Sequence, residues 1–116
     1  MSLQRFHVGQ RLSETAIFNK TVYLAGQIPE DTSQDIIGQT MEVLGHVDRL
    51  LAEAGSDKSH ILMCQIFLSD ITQIGGMNQA WDAWVAEGNA PPRATVQAAL
   101  ANPDWLIEVV VTAAQK

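Results

Sequence analysis

The stretch Ile61–Leu68, with the sequence ILMCQIFL, is almost wholly apolar and decides the fold. Eight residues is the length of a β-strand, and apolar side chains at both parities predict a strand that is buried on both faces of a sheet. Residues 105–113, WLIEVVVTA, have the same character and predict a second strand of this kind. Both strands therefore need other elements to cover both of their faces.

Weaker strand patterns lie elsewhere in the chain. Four further strands are predicted, at residues 4–8, 16–18, 21–25 and 93–100. Asn19 and Lys20 are a candidate two-residue hairpin turn, although the usual glycine is absent. Pro91 and Pro92 exclude helix and force an extended backbone before the strand that starts at Arg93.

Two helices are predicted between the strands. Apolar residues recur at spacings of three and four over residues 37–54, as on one face of an α-helix, and Gly55 would end it. The polar residues 31–33 are expected to cap this helix. Gly38 and Gly45 are expected to let it approach the sheet closely.

The second helix is predicted from about residue 73 to residue 87, with a cap in residues 70–72. The order of elements predicts an α+β two-layer sandwich, with two helices on one face of a mixed sheet of about six strands, in a single domain over residues 1–116. Two helices cover only one face of such a sheet. The apolar residues on the other face therefore indicate oligomerisation through the sheet.

Composition excludes several classes of protein. The chain has 116 residues, a net charge of −6 and only seven lysines and arginines, which argues against a nucleic-acid binder. No apolar run reaches the roughly 18 residues of a membrane span, and residues 1–5 lack the apolar segment of a signal peptide, so a cytoplasmic protein is expected. The single cysteine, Cys64, excludes an internal disulfide and a cysteine-based zinc site, and it is expected to be an inert buried thiol.

Two ionisable residues lie in predicted strands, where burying a charge has a high free-energy cost. Glu108 is the only ionisable residue in the last strand, where a carboxylate needs a partner or a shifted pKa. Arg93 is rigidly placed after two prolines, and its guanidinium suits a carboxylate or phosphate. The alternatives are a solvent-facing Glu108 at a sheet edge and a surface ion pair for Arg93.

The relative position of these two groups follows from a predicted hairpin. If the last two strands turn at Asn102 and Pro103, Glu108 lies opposite Gln97 and shares a face with Arg93, about 13 Å away along the sheet. One subunit would then not bring the two groups into contact, and a site shared between subunits would.

The three histidines, His7, His46 and His60, are scattered and offer no metal-ligand spacing. His46 is expected to be solvated on the polar face of the first helix, and His60 to be structural. No metal site is predicted from them.

A set of short motifs runs through the chain in a recognisable order. They are Ala25-Gly26-Gln27-Ile28-Pro29, Ala54-Gly55, Phe67-Leu68-Ser69-Asp70, Asn78, Ala90-Pro91-Pro92-Arg93-Ala94 and Ile107-Glu108-Val109. Together they resemble the YjgF/RidA family of imine/enamine deaminases, over residues 11–114. The resemblance implies a chorismate mutase-like fold and a homotrimer with ligand clefts between subunits.

The resemblance also implies a reaction and roles for residues. Arg93 would hold the substrate carboxylate, Glu108 would place or activate the hydrolytic water, and the backbone around Gly26 would line the cleft. The reaction would be hydrolysis of 2-imino or 2-enamino acids to 2-keto acids and ammonia, without a metal or cofactor.

The sequence departs from the family pattern at three positions. Gln10-Arg11-Leu12 stands for the family's Gly-Pro-Tyr, Ala25 for a serine, and Thr95 for a residue that is often cysteine. Leu12, Ala25, Thr95 and Asn78 are nevertheless expected at the substrate site. The alternative function is a trimeric binding or regulatory protein for small carboxylates without turnover; RNA cleavage is disfavoured by the acidic charge and by the lack of a histidine pair.

Overall fold

The computed structural model describes residues 2–116, and Ile61–Leu68 forms the predicted strand at the centre of the fold. The strands are β1 (Gln4–Val8), β2 (Ser13–Phe18), β3 (Thr21–Leu24), β4 (Ile61–Leu68), β5 (Arg93–Gln97) and β6 (Ile107–Ala114), and the helices are α1 (Ile36–Glu53) and α2 (Ile74–Trp84). All six predicted strands and both predicted helices are therefore present, with shifts of a few residues at their ends.

The six strands form one sheet in the order β1-β2-β3-β6-β4-β5. Strands β4 and β5 are parallel and every other neighbouring pair is antiparallel, which confirms the predicted mixed sheet. Asn19 and Lys20 form the predicted turn between β2 and β3, with φ of 54° and 63°. Positive φ at both positions is the requirement of a type I′ turn, which asparagine tolerates better than most residues.

The predicted hairpin between the last two strands is wrong. Strand β4 lies between them: Phe67 of β4 pairs with both Glu108 of β6 and Val96 of β5, and Cys64 pairs with Arg93. The physical reason is the distribution of apolar residues. Strands β4 and β6 are apolar at both parities and pair with each other inside the sheet, whereas the polar β5 takes an edge.

Helix α1 starts later than predicted. Its cap is Asp35, whose side chain accepts a hydrogen bond from Gly38 N at 2.9 Å, and residues 31–33 lie in the preceding loop. The role predicted for the glycines is also wrong: Gly38 faces Gln34, and Gly45 is exposed with nothing within 4 Å of a Cβ built on it.

Both helices pack on one face of the sheet, where the core lies. Side chains on that face of β6 are fully or almost fully buried: Ile107, Val109, Val111 and Ala113. The opposite face carries exposed apolar side chains, among them Phe18, Tyr23, Met63 and Val96, and we call it the outer face. No helix within residues 2–116 is both long and apolar enough to cross a membrane.

Candidate functional site

The carboxyl group of Glu108 packs against the backbone of Gly26. A Cβ built on Gly26 would collide with that carboxyl group and would lie 2.9 Å from its Cδ. The chain on either side of Gly26 is fixed: Ala25 N donates to Glu14 O at 2.9 Å, and Gln27 N donates to Val109 O at 2.7 Å. This close approach therefore requires glycine, and it places a half-buried carboxylate beside half-buried backbone.

A cavity of about 350 Å³ adjoins Gly26. Its wall includes Leu12 and Ile28 on the apolar side and Glu14, His46 and Arg49 on the polar side. Leu12 and Gly26, both predicted for the substrate site, thus border one space. We call Leu12, Ala25, Gly26 and Glu108 the Gly26 cluster.

The second group of predicted residues lies around the edge strand β5. Arg93 packs over the indole of Trp81, with its Cζ 5.0 Å from the ring centroid. No ion pair to Arg93 forms within residues 2–116. Because Arg93 and Thr95 pair with the core residues Cys64 and Ile66, their side chains lie on the helix side of the sheet.

Two buried polar atoms in this region have no hydrogen-bond partner in the described part of the chain: Asn78 Oδ1 and Thr95 Oγ1. Asn78 lies one turn before Trp81, on the same side of α2. An unsatisfied buried polar atom costs stability unless something outside the chain supplies the missing partner. We call Asn78, Trp81, Arg93 and Thr95 the Arg93 cluster.

The neighbouring thiol is not a candidate nucleophile. Burial raises the pKa of Cys64 to about 12, against a smaller lowering by the Arg93 charge. Thiolate is the reactive form, and Cys64 is fully buried. The prediction of an inert buried thiol is confirmed.

The structure does not bring Arg93 and Glu108 together, and the predicted shared face is wrong. Glu108 pairs with Phe67 and lies on the outer face, whereas Arg93 pairs with the buried Cys64 and lies on the helix side. Their Cα atoms are about 14 Å apart, because two inter-strand spacings and three residues along the strands lie between them. The two clusters therefore face opposite sides of one sheet.

A third group was missed by the sequence analysis. His46 is not solvated: its side chain is 17% exposed, and Nε2 lies 3.2 Å from Glu42 Oε2 and 3.8 Å from Glu30 Oε1. Arg49 donates to His46 Nδ1 at 3.3 Å. The spacing of Glu42, His46 and Arg49 at three and four residues along α1 was the available signal.

Ligand atoms of Glu30, Glu42 and His46 lie within 4.8 Å of one another, which is close enough for one metal ion. Glu42, however, already accepts hydrogen bonds from the backbone N–H groups of Glu30 (2.6 Å) and Asp31 (3.2 Å) and from Gln34 Nε2 (2.9 Å). Burial opposes ionisation of Glu42, but the hydrogen bonds outweigh it and the pKa lies below its usual value. The group anchors the loop that follows Gly26 and does not fit a metal centre.

The other histidines pair with separate carboxylates. His60 Nδ1 lies 2.7 Å from Asp57 Oδ1 in a local turn, which confirms a structural residue, and His7 Nε2 lies 2.7 Å from Glu53 Oε1. Neither pair lies in the Gly26 cluster or the Arg93 cluster.

Comparison with known proteins gives consistent matches over almost the whole chain. A family profile described as Endoribonuclease L-PSP matches residues 3–115. A RutC family protein of Haemophilus ducreyi is 49% identical over 112 residues, which cover 97% of this chain and 96% of that protein. NMB1025 of Neisseria meningitidis, a member of the YjgF protein family, superposes with a TM-score of 0.97 at 42% identity, over 100% of this chain and 97% of that one.

The chain belongs to the YjgF/RidA family. The predicted family and its chorismate mutase-like fold are thereby confirmed. Two more distant YjgF/RidA relatives carry names that state an activity. The 3-aminoacrylate deaminase RutC of Acinetobacter baylyi is 32% identical over 79% of this chain and 77% of its own length. The 2-iminobutanoate/2-iminopropanoate deaminase of Rattus norvegicus is 27% identical over 89% of this chain and 79% of its own.

Proposed function

We propose that the protein hydrolyses reactive 2-imino or 2-enamino acids to 2-keto acids and ammonia, in a cleft between the subunits of a homotrimer. The names of the two deaminase relatives agree with this reaction class. Small carboxylates of the 2-imino and 2-keto acid type are the ligands, and no metal or cofactor takes part.

One observation carries the proposal. Arg93 and Glu108 are half-buried ionisable residues, and neither side chain forms an ion pair or a side-chain hydrogen bond within residues 2–116. Keeping a charge partly out of water without a counter-charge is costly, and no ion pair offsets that cost here. A cation without a counter-charge can bind the carboxylate of a ligand. An anion without a counter-charge can accept a proton during a reaction of the same ligand.

The chemistry needs few groups. Arg93 would hold the substrate carboxylate through two N–H donors, which fixes the imine carbon in place. Glu108 would take a proton from water as the water oxygen bonds to that carbon, and would then deliver the proton to nitrogen. The hydroxyl proton of the carbinolamine would next pass through Glu108 to the same nitrogen, the C–N bond would break, and ammonia and the 2-keto acid would be released. The backbone beside Gly26 would face the reacting atoms.

The position of the two clusters on opposite faces supports a site between copies. A second copy that covered the outer face would place its own helix-side residues at the rim of the first copy's Gly26 cluster. Each cleft would then combine Glu108, Gly26, Ala25 and Leu12 of one subunit with Arg93, Asn78 and Thr95 of the next. Exposed apolar side chains of the outer face, such as Tyr23 and Val96, would be covered in the same contact.

Acceleration of imine hydrolysis over buffer tests the proposal. An amino-acid oxidase would generate 2-iminobutyrate in the presence of semicarbazide, which traps the imine. The protein should suppress the trapped product in proportion to its concentration. Trapping at the buffer rate with wild-type protein would overturn the proposal.

A binding protein without turnover is the second candidate. The observation that favours it is the chemistry of the Gly26 cluster, where Leu12 and Ala25 offer no hydroxyl or other proton-transfer group beside Glu108. Such a protein would bind 2-keto acids through Arg93 and leave the imine assay at background.

RNA cleavage finds no support in the geometry, although the family description includes the word endoribonuclease. The three histidines each lie beside a different carboxylate, and none faces another as an acid–base pair would require. The net charge of −6 would also repel a polyanion.

A further inference from the structure

The guanidinium of Arg93 has an aromatic partner where an anion would be expected. Its Cζ lies 5.0 Å from the centroid of the Trp81 ring, a distance at which a cation is attracted by the negative face of an indole. A carboxylate partner would fix Arg93 equally well, but it would occupy the N–H donors that a ligand needs. An aromatic face holds the cation without neutralising its charge.

The ring itself is held rigidly. Trp81 is only 5% exposed, and its centroid lies 5.3 Å from that of Trp84. Trp84 Nε1 donates to Asp48 Oδ2 at 2.9 Å, which ties this second indole to α1. Lys58 Nζ lies 5.3 Å from the Trp84 centroid and donates to Trp84 O at 2.5 Å. The surface beneath Arg93 is therefore fixed through contacts with both helices.

We propose that Trp81 is a positioning residue that holds the Arg93 guanidinium in place for a carboxylate ligand. The inference rests on the proposed function for the role of Arg93, and it adds a residue that the motifs did not mark. Trp81 itself would not touch the ligand. It limits the orientations that Arg93 samples before binding, so less freedom is lost when the carboxylate arrives.

The test compares three substitutions in the full-length protein by calorimetry with pyruvate. Trp81→Leu should weaken binding by about 3- to 30-fold, the range that a partly desolvated cation–π contact supports. Trp81→Phe keeps a ring under Arg93 and should restore most of the affinity. Trp105→Phe shortens a partly buried indole outside both clusters and serves as the matched control, with affinity near the wild-type value.

A double-mutant cycle separates positioning from a general loss of structure. In an Arg93→Ala background, Trp81→Leu should change pyruvate affinity no further, because the group it positions is gone. Side-chain NMR gives a readout without ligand. The Arg93 guanidinium resonances, assigned by their loss in Arg93→Lys, should be ring-current shifted in wild type and in Trp105→Phe but not in Trp81→Leu.

Each outcome has one meaning. Additive effects in the cycle, or unshifted Arg93 resonances in wild type, would overturn the role of Trp81 and leave the proposed function standing. No pyruvate binding by the folded wild type would overturn both. If Trp81→Leu does not fold, Trp81→Met takes its place in the cycle, because methionine also removes the ring from beneath Arg93.

Discussion

The carboxyl group of Glu108 fills the space in which a side chain at Gly26 would begin. Two stretches more than eighty residues apart in the chain therefore constrain each other: the Glu108 carboxyl group of β6 keeps this position only while the segment after β3 has glycine there. A carboxylate held this closely against backbone has a defined position. That position is what proton transfer at a fixed atom requires.

Gly26→Ala should displace the Glu108 carboxyl group and leave the fold intact, because the atoms that clash belong to a side chain that can rotate. We expect imine hydrolysis to fall by about 10- to 100-fold, since small misplacements of a catalytic group have effects of this size. Gly45→Ala is the matched control: nothing lies near its Cβ, so activity should not change and the free energy of unfolding should rise by about 0.5–1 kcal/mol. Equal activity in the two variants would contradict the importance of the contact.

Arg93→Ala should weaken the binding of pyruvate or 2-ketobutyrate by roughly 10- to 150-fold, the value of a charge-assisted bidentate pair. Arg93→Lys should not restore binding, because an ammonium lacks the planar arrangement of donors. Calorimetry measures both, and circular dichroism checks that the variants are folded. Unchanged affinity in Arg93→Ala would assign the carboxylate to another group.

Glu108→Gln separates an enzyme from a binding protein. The substitution keeps the shape of the side chain but removes the proton acceptor, so imine hydrolysis should fall by about 100-fold or more. Affinity for the keto-acid product should change little, because Arg93 supplies the charge that binds it. A lower melting temperature with unchanged specific activity would instead mark Glu108 as a structural residue.

The protein should be a homotrimer, with a mass by light scattering of about three times 12.7 kDa at micromolar concentration. Met63→Lys places a charge on the outer face, where Met63 is 39% exposed in the single chain, and should reduce the mass towards that of a monomer. Met41→Lys is the control, since Met41 is 63% exposed on a helix and away from that face. A stable monomeric wild type would exclude a cleft between subunits.

Acid should loosen the loop that Glu42 anchors. Hydrogen bonds from the Glu30 and Asp31 amides hold the pKa of Glu42 below its usual value in the folded protein, against the effect of burial. A carboxyl group with a depressed pKa stabilises the fold above its unfolded pKa of about 4.5 and loses that contribution as the pH falls. The difference in melting temperature between wild type and Glu42→Gln should thus be greatest near pH 7 and shrink below pH 4.5.

The exposed Glu87 offers a control for this titration, because it accepts no side-chain hydrogen bond from any residue in 2–116. Glu87→Gln should leave the melting temperature close to that of wild type at both pH values. A pH-independent gap between wild type and Glu42→Gln would show that ionisation of Glu42 does not stabilise the loop.

The sequence predicted the elements of this fold better than their pairing. The apolar run of residues 61–68 predicted β4 with the bounds that the structure shows. The helical spacing predicted two helices, which are too few to cover the outer face of the sheet. Strand order depends on contacts between distant residues, and the assumption that neighbouring strands in the chain also pair placed Arg93 and Glu108 on one face. Because β4 lies between β5 and β6 in the sheet, the two side chains instead lie on opposite faces.

The residues of the candidate site were likewise only partly predictable from the sequence. Arg93 and Glu108 could be selected because charge is costly in an apolar strand. Trp81 could not be distinguished from other core aromatics, since only the packing of α2 beneath β5 gives it a cation. His46 was assigned to solvent because helical periodicity does not show which loop folds over the polar side of a helix.

The opposite orientation of Arg93 and Glu108 has a genetic consequence under the proposed function. A subunit that has lost Arg93 still donates Glu108 to one cleft, and a subunit that has lost Glu108 still donates Arg93 to another. When two such copies assemble together, some clefts receive both groups intact. Two alleles that are each inactive alone would then complement each other within one trimer, as two substitutions in the same copy never would.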